Sequence, residues 1–172
     1  MTGASADGEP VGAIHESPLP CRGDWNVFIM PYEFLEDVAT ADIAFKAWGQ
    51  DLEETFVAAA DATMNVMVEN VNSIQPREIR DIRLENEDLD LLLHDFLQEL
   101  VYYKDSERLM LRVREIQIEE GAHPVSLQAT ARGETLDPER HLPRVDVKAV
   151  TLHQFRLEKT DQGWEAFVIL DI

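Results

Sequence analysis

The chain has 172 residues, 45% of them apolar, with 34 acidic side chains against 15 basic ones and a formal net charge of -19. That is the length of one domain with enough apolar residues for one core, and no run approaches the roughly 18–20 unbroken apolar residues of a membrane span. The single cysteine, Cys21, excludes an internal disulfide and a thiolate zinc cage.

Charge constrains function next. Binding to a phosphate backbone is driven by cationic side chains that release counterions, so a chain this acidic is repelled by bare RNA. The basic clusters, Arg77-Glu78-Ile79-Arg80 and Arg108 to Arg114, are interleaved with acids and form no patch. Tight direct nucleic-acid binding is therefore not expected. An acidic surface suits a basic partner, because complementary fields speed encounter. The N-terminus has no basic region followed by an apolar run, so the expectation is a cytoplasmic protein without an export signal.

In chain order, residues 1–29 are rich in Gly and Pro and show no period of 2 or 3.6, which predicts a mobile arm. Ordered patterning starts after Met30, so residues 30–172 are the expected domain. Ile43 to Trp48 reads as a short strand closed by Gly49. Asp51-Leu52-Glu53-Glu54 has the form of a capping box. Behind it Leu52, Phe56, Ala59, Ala60, Thr63, Met64 and Met67 recur at helical spacing. Arg77 to Glu85 alternates as a strand after Pro76. A second helix is predicted from about Asp88 to Tyr103, with Leu89, Leu92, Leu93, Phe96, Leu97 and Leu100 on its buried face. Strands follow over Leu109 to Ile118, Val125 to Arg132, Val145 to Glu158 and Trp164 to Ile172, with hairpin turns at Gly121 and Gly163. Asp137-Pro138 and Leu142-Pro143 mark a longer loop. Two helices among runs of adjacent strands give an α+β class, the helices packed on a largely antiparallel sheet.

From Tyr32 to Ile172 the chain resembles the archease family. Tyr32-Glu33-Phe34 leads into Thr40-Ala41-Asp42-Ile43, similar to the family's His-Thr-Ala-Asp-Ile/Val signature. Trp48-Gly49 before Leu52-Glu53-Glu54 matches an aromatic-Gly turn ahead of the first helix, and Leu91 to Leu100 resembles the second helix. Gly133-Glu134-x-x-Asp137 with His141 matches a loop pattern. Val147 to His153 is similar to Val-Lys-Ala-Ile-Thr-Tyr-His, and Ile169 to Ile172 to the hydrophobic-Asp-hydrophobic end of the family. Two positions depart: Ala39 stands where the signature has histidine, and Leu152 where tyrosine is usual.

The resemblance implies a divalent-metal site on Asp42, Asp171 and Ile172, the last through its terminal carboxylate or carbonyl. Both aspartates flank strand ends that a sheet can bring together, and an all-oxygen anionic set suits a hard cation, Ca²⁺ or Mg²⁺. Lys148 and His153 are partner-facing candidates. Strict alternation puts Lys148 on an exposed face beside the site and His153 on the face of Val147, where a hydrogen-bonded interior histidine is the ordinary outcome. His94 reads as a helix-surface residue and His141 as a loop residue.

Nothing in the sequence assembles a nucleophile or a phosphate-binding Gly-rich loop, which favours a binding module over an enzyme. What the resemblance implies is a metal-binding accessory protein that activates the GTP-dependent tRNA-splicing RNA ligase by promoting its guanylylation and multiple turnover. The alternatives are a chaperone-like modulator of a tRNA or other nucleic-acid methyltransferase, and a metal-dependent hydrolase using Asp42 and Asp171.

Overall fold

A computed structural model describes residues 31–35, 42–121 and 123–172. The expected arm over 1–29, Cys21 and the Ala39 substitution lie outside the described residues. Helix α1 (Leu52–Met67) begins where the capping box predicts: Asp51 Oδ1 accepts from the Glu54 N–H at 2.8 Å, and Glu54 Oε2 accepts from the Gln50 N–H at 2.9 Å. Twelve of its sixteen residues are buried, more than one apolar stripe accounts for. The reason is tertiary, since α1 packs against strands of two different sheets.

Those sheets are both antiparallel. One has the order β1-β2-β7-β6, from β1 (Tyr32–Leu35), β2 (Ile43–Gly49), β7 (Gly163–Asp171) and β6 (Ala149–Thr160). The other has the order β3-β5-β4, from β3 (Glu78–Asn86), β5 (Val125–Thr135) and β4 (Leu109–Glu119). Helix α2 (Leu89–Glu107) packs on β6 of the first and on β3 and β4 of the second. The α+β class and the helices on antiparallel strands agree with expectation, and the strands divide into two sheets with the helices bridging them. Phe56, Phe96, Phe45, Leu93, Leu97 and Leu111 are fully buried in the shared core.

Strand β6 departs from a plain ladder in two places. Its outer edge is closed at Val150, whose N–H donates to Gln98 Oε1 at 3.0 Å and whose carbonyl accepts from His94 Nε2 at 3.0 Å. An uncovered sheet edge invites foreign strands, and α2 side chains cover this one. Farther along, the β6–β7 register moves five residues along β6, from Thr151 to Arg156, against two along β7. The resulting bulge holds Leu152, His153, Gln154 and Phe155, with Gln154 at φ 56°. The expected loop after β5 contains one turn of helix, α3 (Pro138–His141), capped by Asp137. Among the described residues no helix is long and apolar enough to cross a membrane.

Candidate functional site at one end of the four-stranded sheet

Strand β2 pairs with β7 from Gly49↔Trp164 to Ile43↔Leu170. Asp42 and Asp171 are the residues next beyond that last pair, so they stand at the same end of the sheet. The two aspartates, 129 positions apart in the chain, are both half-buried. On the other flank Asp171 pairs with Ala149, and its carbonyl accepts from the Lys148 N–H at 2.9 Å. That bond ties the end of β7 at Asp171 to the residue before β6.

Lys148 is exposed, and its Nζ donates to the main-chain oxygen of Ile172 at 3.0 Å. Lys148 therefore shares the sheet end with Asp42, Asp171 and Ile172. His153 does not. Strict alternation assigns it to the face of the buried Val147, but the bulge breaks the alternation and leaves His153 exposed, its Nε2 3.2 Å from Gln154 Nε2. Leu152 is 59% exposed in the same bulge.

The donor set at this end is two carboxylates and a main-chain oxygen, all hard ligands, which fits a Ca²⁺- or Mg²⁺-type cation. One further oxygen lies nearby. Thr151 Oγ1, two rungs along on the strand beside Asp171, is buried without a hydrogen-bond partner. Buried hydroxyls left unpaired are uncommon and call for a reason. Among the described residues no three side chains of His, Cys, Asp or Glu converge on a common point. The set thus depends on Asp42, Asp171 and the main chain, with water filling a cation's remaining positions.

A second polar cluster falls on the Gly133-Glu134-x-x-Asp137 and His141 stretch, whose burial nothing in the sequence signals. Glu134 is 3% exposed and His141 1% exposed. Glu134 Oε1 accepts from the Gln75 N–H at 2.8 Å and from His141 Nε2 at 3.0 Å, while Oε2 meets Arg140 at 2.9 Å and Arg77 at 3.2 Å. His141 Nδ1 accepts the Asp137 N–H at 2.8 Å, which leaves the Nε2 proton for Glu134. Burial on its own raises the Glu134 pKa; the Gln75 N–H, His141 and Arg140 outweigh it and hold the carboxyl below the usual range. An open cleft of about 510 Å³ lies beside this cluster, lined by Arg77, Glu78, Leu136, Asp137 and Arg140. Its lining includes none of the sheet-end residues. With four donors on its two oxygens Glu134 acts as a clamp on the α3 loop, and it has no free lone pair for chemistry. His141, a loop residue by sequence, is thus interior. His94, a surface residue by sequence, is half-buried, bonded to Val150 and edge-on to Phe155 with ring centroids 5.7 Å apart.

These features define a small α+β protein with an acidic, oxygen-rich sheet end. The chain belongs to the archease family: the model of the "Archease protein family (MTH1598/TM1083)" matches residues 32–172. The archease of Pyrococcus abyssi is 44% identical over 134 residues, 77% of this chain and 94% of that protein. Among solved structures, Methanobacterium thermoautotrophicum protein 1598 is 34% identical with a TM-score of 0.73, over 84% of this chain and 100% of that one. A Thermotoga maritima archease, described as a possible chaperone, shares the fold at a TM-score of 0.55 and 19% identity, over 78% of this chain and 93% of that one.

Proposed function

We propose that this protein is a metal-binding accessory factor of the GTP-dependent tRNA-splicing RNA ligase, raising the ligase's guanylylation and turnover without chemistry of its own. The observation that supports this reading is the β2–β7 pairing, whose last pair Ile43↔Leu170 leaves Asp42 and Asp171 at the same sheet end, near the Ile172 main-chain oxygen. The ligase is chosen as the partner because the sequence motifs resemble those of the archease family. In this reading Asp42, Asp171 and Ile172 hold a divalent cation, Ca²⁺ or Mg²⁺, and a bound cation supplies charge neutralisation for phosphate oxygens. The chain's own part is orientation. Pairing of Asp171 with Ala149 on β6 holds the end of β7 in place before any partner arrives, so less ordering entropy is lost on docking.

The test is a ligase guanylylation assay with the purified partner, run beside calcium titration of the accessory protein alone. Asp42→Ala and Asp171→Ala should each weaken cation binding by at least tenfold, since affinity follows the number of charged oxygens. Both variants should lose stimulation while melting within a few degrees of wild type, because neither side chain is part of the core. Full stimulation by both variants would overturn the proposal. Stimulation of a methyltransferase and not of the ligase would redirect it to the chaperone-like reading. Release of product from a phosphodiester by the protein alone would make it a hydrolase.

A further inference from the structure

Lys148 stands among the oxygens of the donor set without being one of its ligands. Its ammonium lies 3.0 Å from the Ile172 main-chain oxygen, one of the oxygens assigned to the cation. Its own N–H is held by the Asp171 carbonyl, so the backbone at 148 cannot move away from the site. Only the four-carbon stem can swing, and the exposed side chain has solvent to swing into. Asp42 and Asp171 both follow the last β2–β7 pair, so two like charges share one sheet end, an arrangement that a nearby cation stabilises. The other described lysines are committed elsewhere: Lys46 to Glu165, Lys104 to Asp105 and Asp146, and Lys159 over the Trp164 ring.

Resting on the metal-site reading, we infer that Lys148 is the resident counter-cation of this sheet end and competes with the divalent cation for it. A lysine suits that part because its ammonium is a compact point charge on a flexible stem, with no planar fork to lock it to a carboxylate. With Lys148 on the Ile172 oxygen, the acidic end is neutralised enough to keep β7 paired to β2. When a divalent cation is held, Lys148 gives up that oxygen and its ammonium turns to solvent, where it is free for an anionic group of a partner. The competition also sets the affinity. One positive charge within several ångströms of a divalent ion in a well-solvated site weakens binding by roughly fivefold to thirtyfold.

Two measurements on the full chain test this. Calcium titration by calorimetry compares wild type with Lys148→Met, which keeps the stem and removes the charge. The variant should bind roughly fivefold to thirtyfold tighter. Amine acetylation with mass-spectrometric readout then follows Lys148 in the wild-type protein, with Lys159 as internal reference. Calcium should speed Lys148 acetylation relative to Lys159, and should have no such effect in Asp171→Asn. Equal or weaker calcium binding by Lys148→Met, or slower Lys148 acetylation with calcium, would overturn the competition and make Lys148 a strut for the cation-bound form. The two readings fail differently. If wild type binds calcium, Asp171→Asn does not, and Lys148→Met matches wild type, only the competition falls. If wild type and Asp171→Asn are alike in binding none, the metal site itself falls and the competition with it.

Discussion

Among the described residues, Glu134 and Arg112 are the two charged side chains most completely withdrawn from water, and each is fully partnered. Arg112, 7% exposed, meets both Asp61 oxygens from Nε and Nη2 and reaches Asn72 Oδ1 at 2.9 Å with Nη1. A bidentate guanidinium–carboxylate pair of this kind spans α1 and β4 and is strong because its geometry is pre-set. Arg112 is thus unavailable to a polyanion, although by sequence it belongs to a basic run. Glu134 carries a pH prediction. Its folded pKa lies below the ordinary glutamate value, so its contribution to stability is full above about pH 4.3 and is lost as pH falls through the folded pKa. Glu134→Gln should lower stability at pH 7 by about 1–3 kcal/mol, the scale of a hydrogen bond to a charged group. Thermal melts from pH 7 down to pH 3 should show the gap to wild type closing at the acid end. A gap that stays constant would mean that the carboxylate's charge contributes nothing.

At the scale of elements, the joint between β2, α1 and β7 is the most tightly specified. Gly163 sits at φ 135°, and a Cβ there would lie 2.1 Å from the Gly49 carbonyl oxygen, so both the conformation and the space require glycine. The same corner holds the α1 cap. Asp51→Ala removes the acceptor for the Glu54 N–H and should cost about 1 kcal/mol. Urea denaturation should show a lower midpoint with an unchanged slope, since the exposed surface is the same. Glu53 accepts the Ile118 N–H at 3.2 Å and fastens α1 to β4. The bulge in β6 is the opposite case, a local departure that turns Leu152, His153 and Gln154 outward next to the acidic end.

For the whole molecule the deciding quantity is charge. At -19 the protein repels polyanions and attracts basic surfaces, and the field acts mainly on encounter rates. Filter binding to unstructured RNA at physiological salt should show nothing tighter than the roughly 10⁻⁴–10⁻⁶ M of non-specific association. Submicromolar binding would contradict the acidic-repulsion argument. Association with a basic partner should slow as salt rises, because exposed charges are screened beyond about 8–10 Å near physiological ionic strength.

Local signals are sufficient wherever the physics is local. The capping box at Asp51, the apolar stripe of α2 from Leu92 to Val101, and the turn glycine at Gly163 act within a few residues and are legible in the chain. Family motifs carry Asp42 and Asp171 together, but their place at one sheet end exists only through the β2–β7 pairing, which joins Ile43 to Leu170, 127 positions apart, and which no periodicity encodes. The division into two sheets, and the burial of α1 on nearly all sides, depend on which strands neighbour each other. The three extra residues of the β6 bulge overturn the face that alternation gives His153, because a period-2 argument holds only while pairing is unbroken. The interior positions of His141, Glu134 and Arg112 are likewise out of the sequence's reach. A charged side chain is buried only when distant donors and acceptors close around it, and those partners are gathered by the tertiary fold.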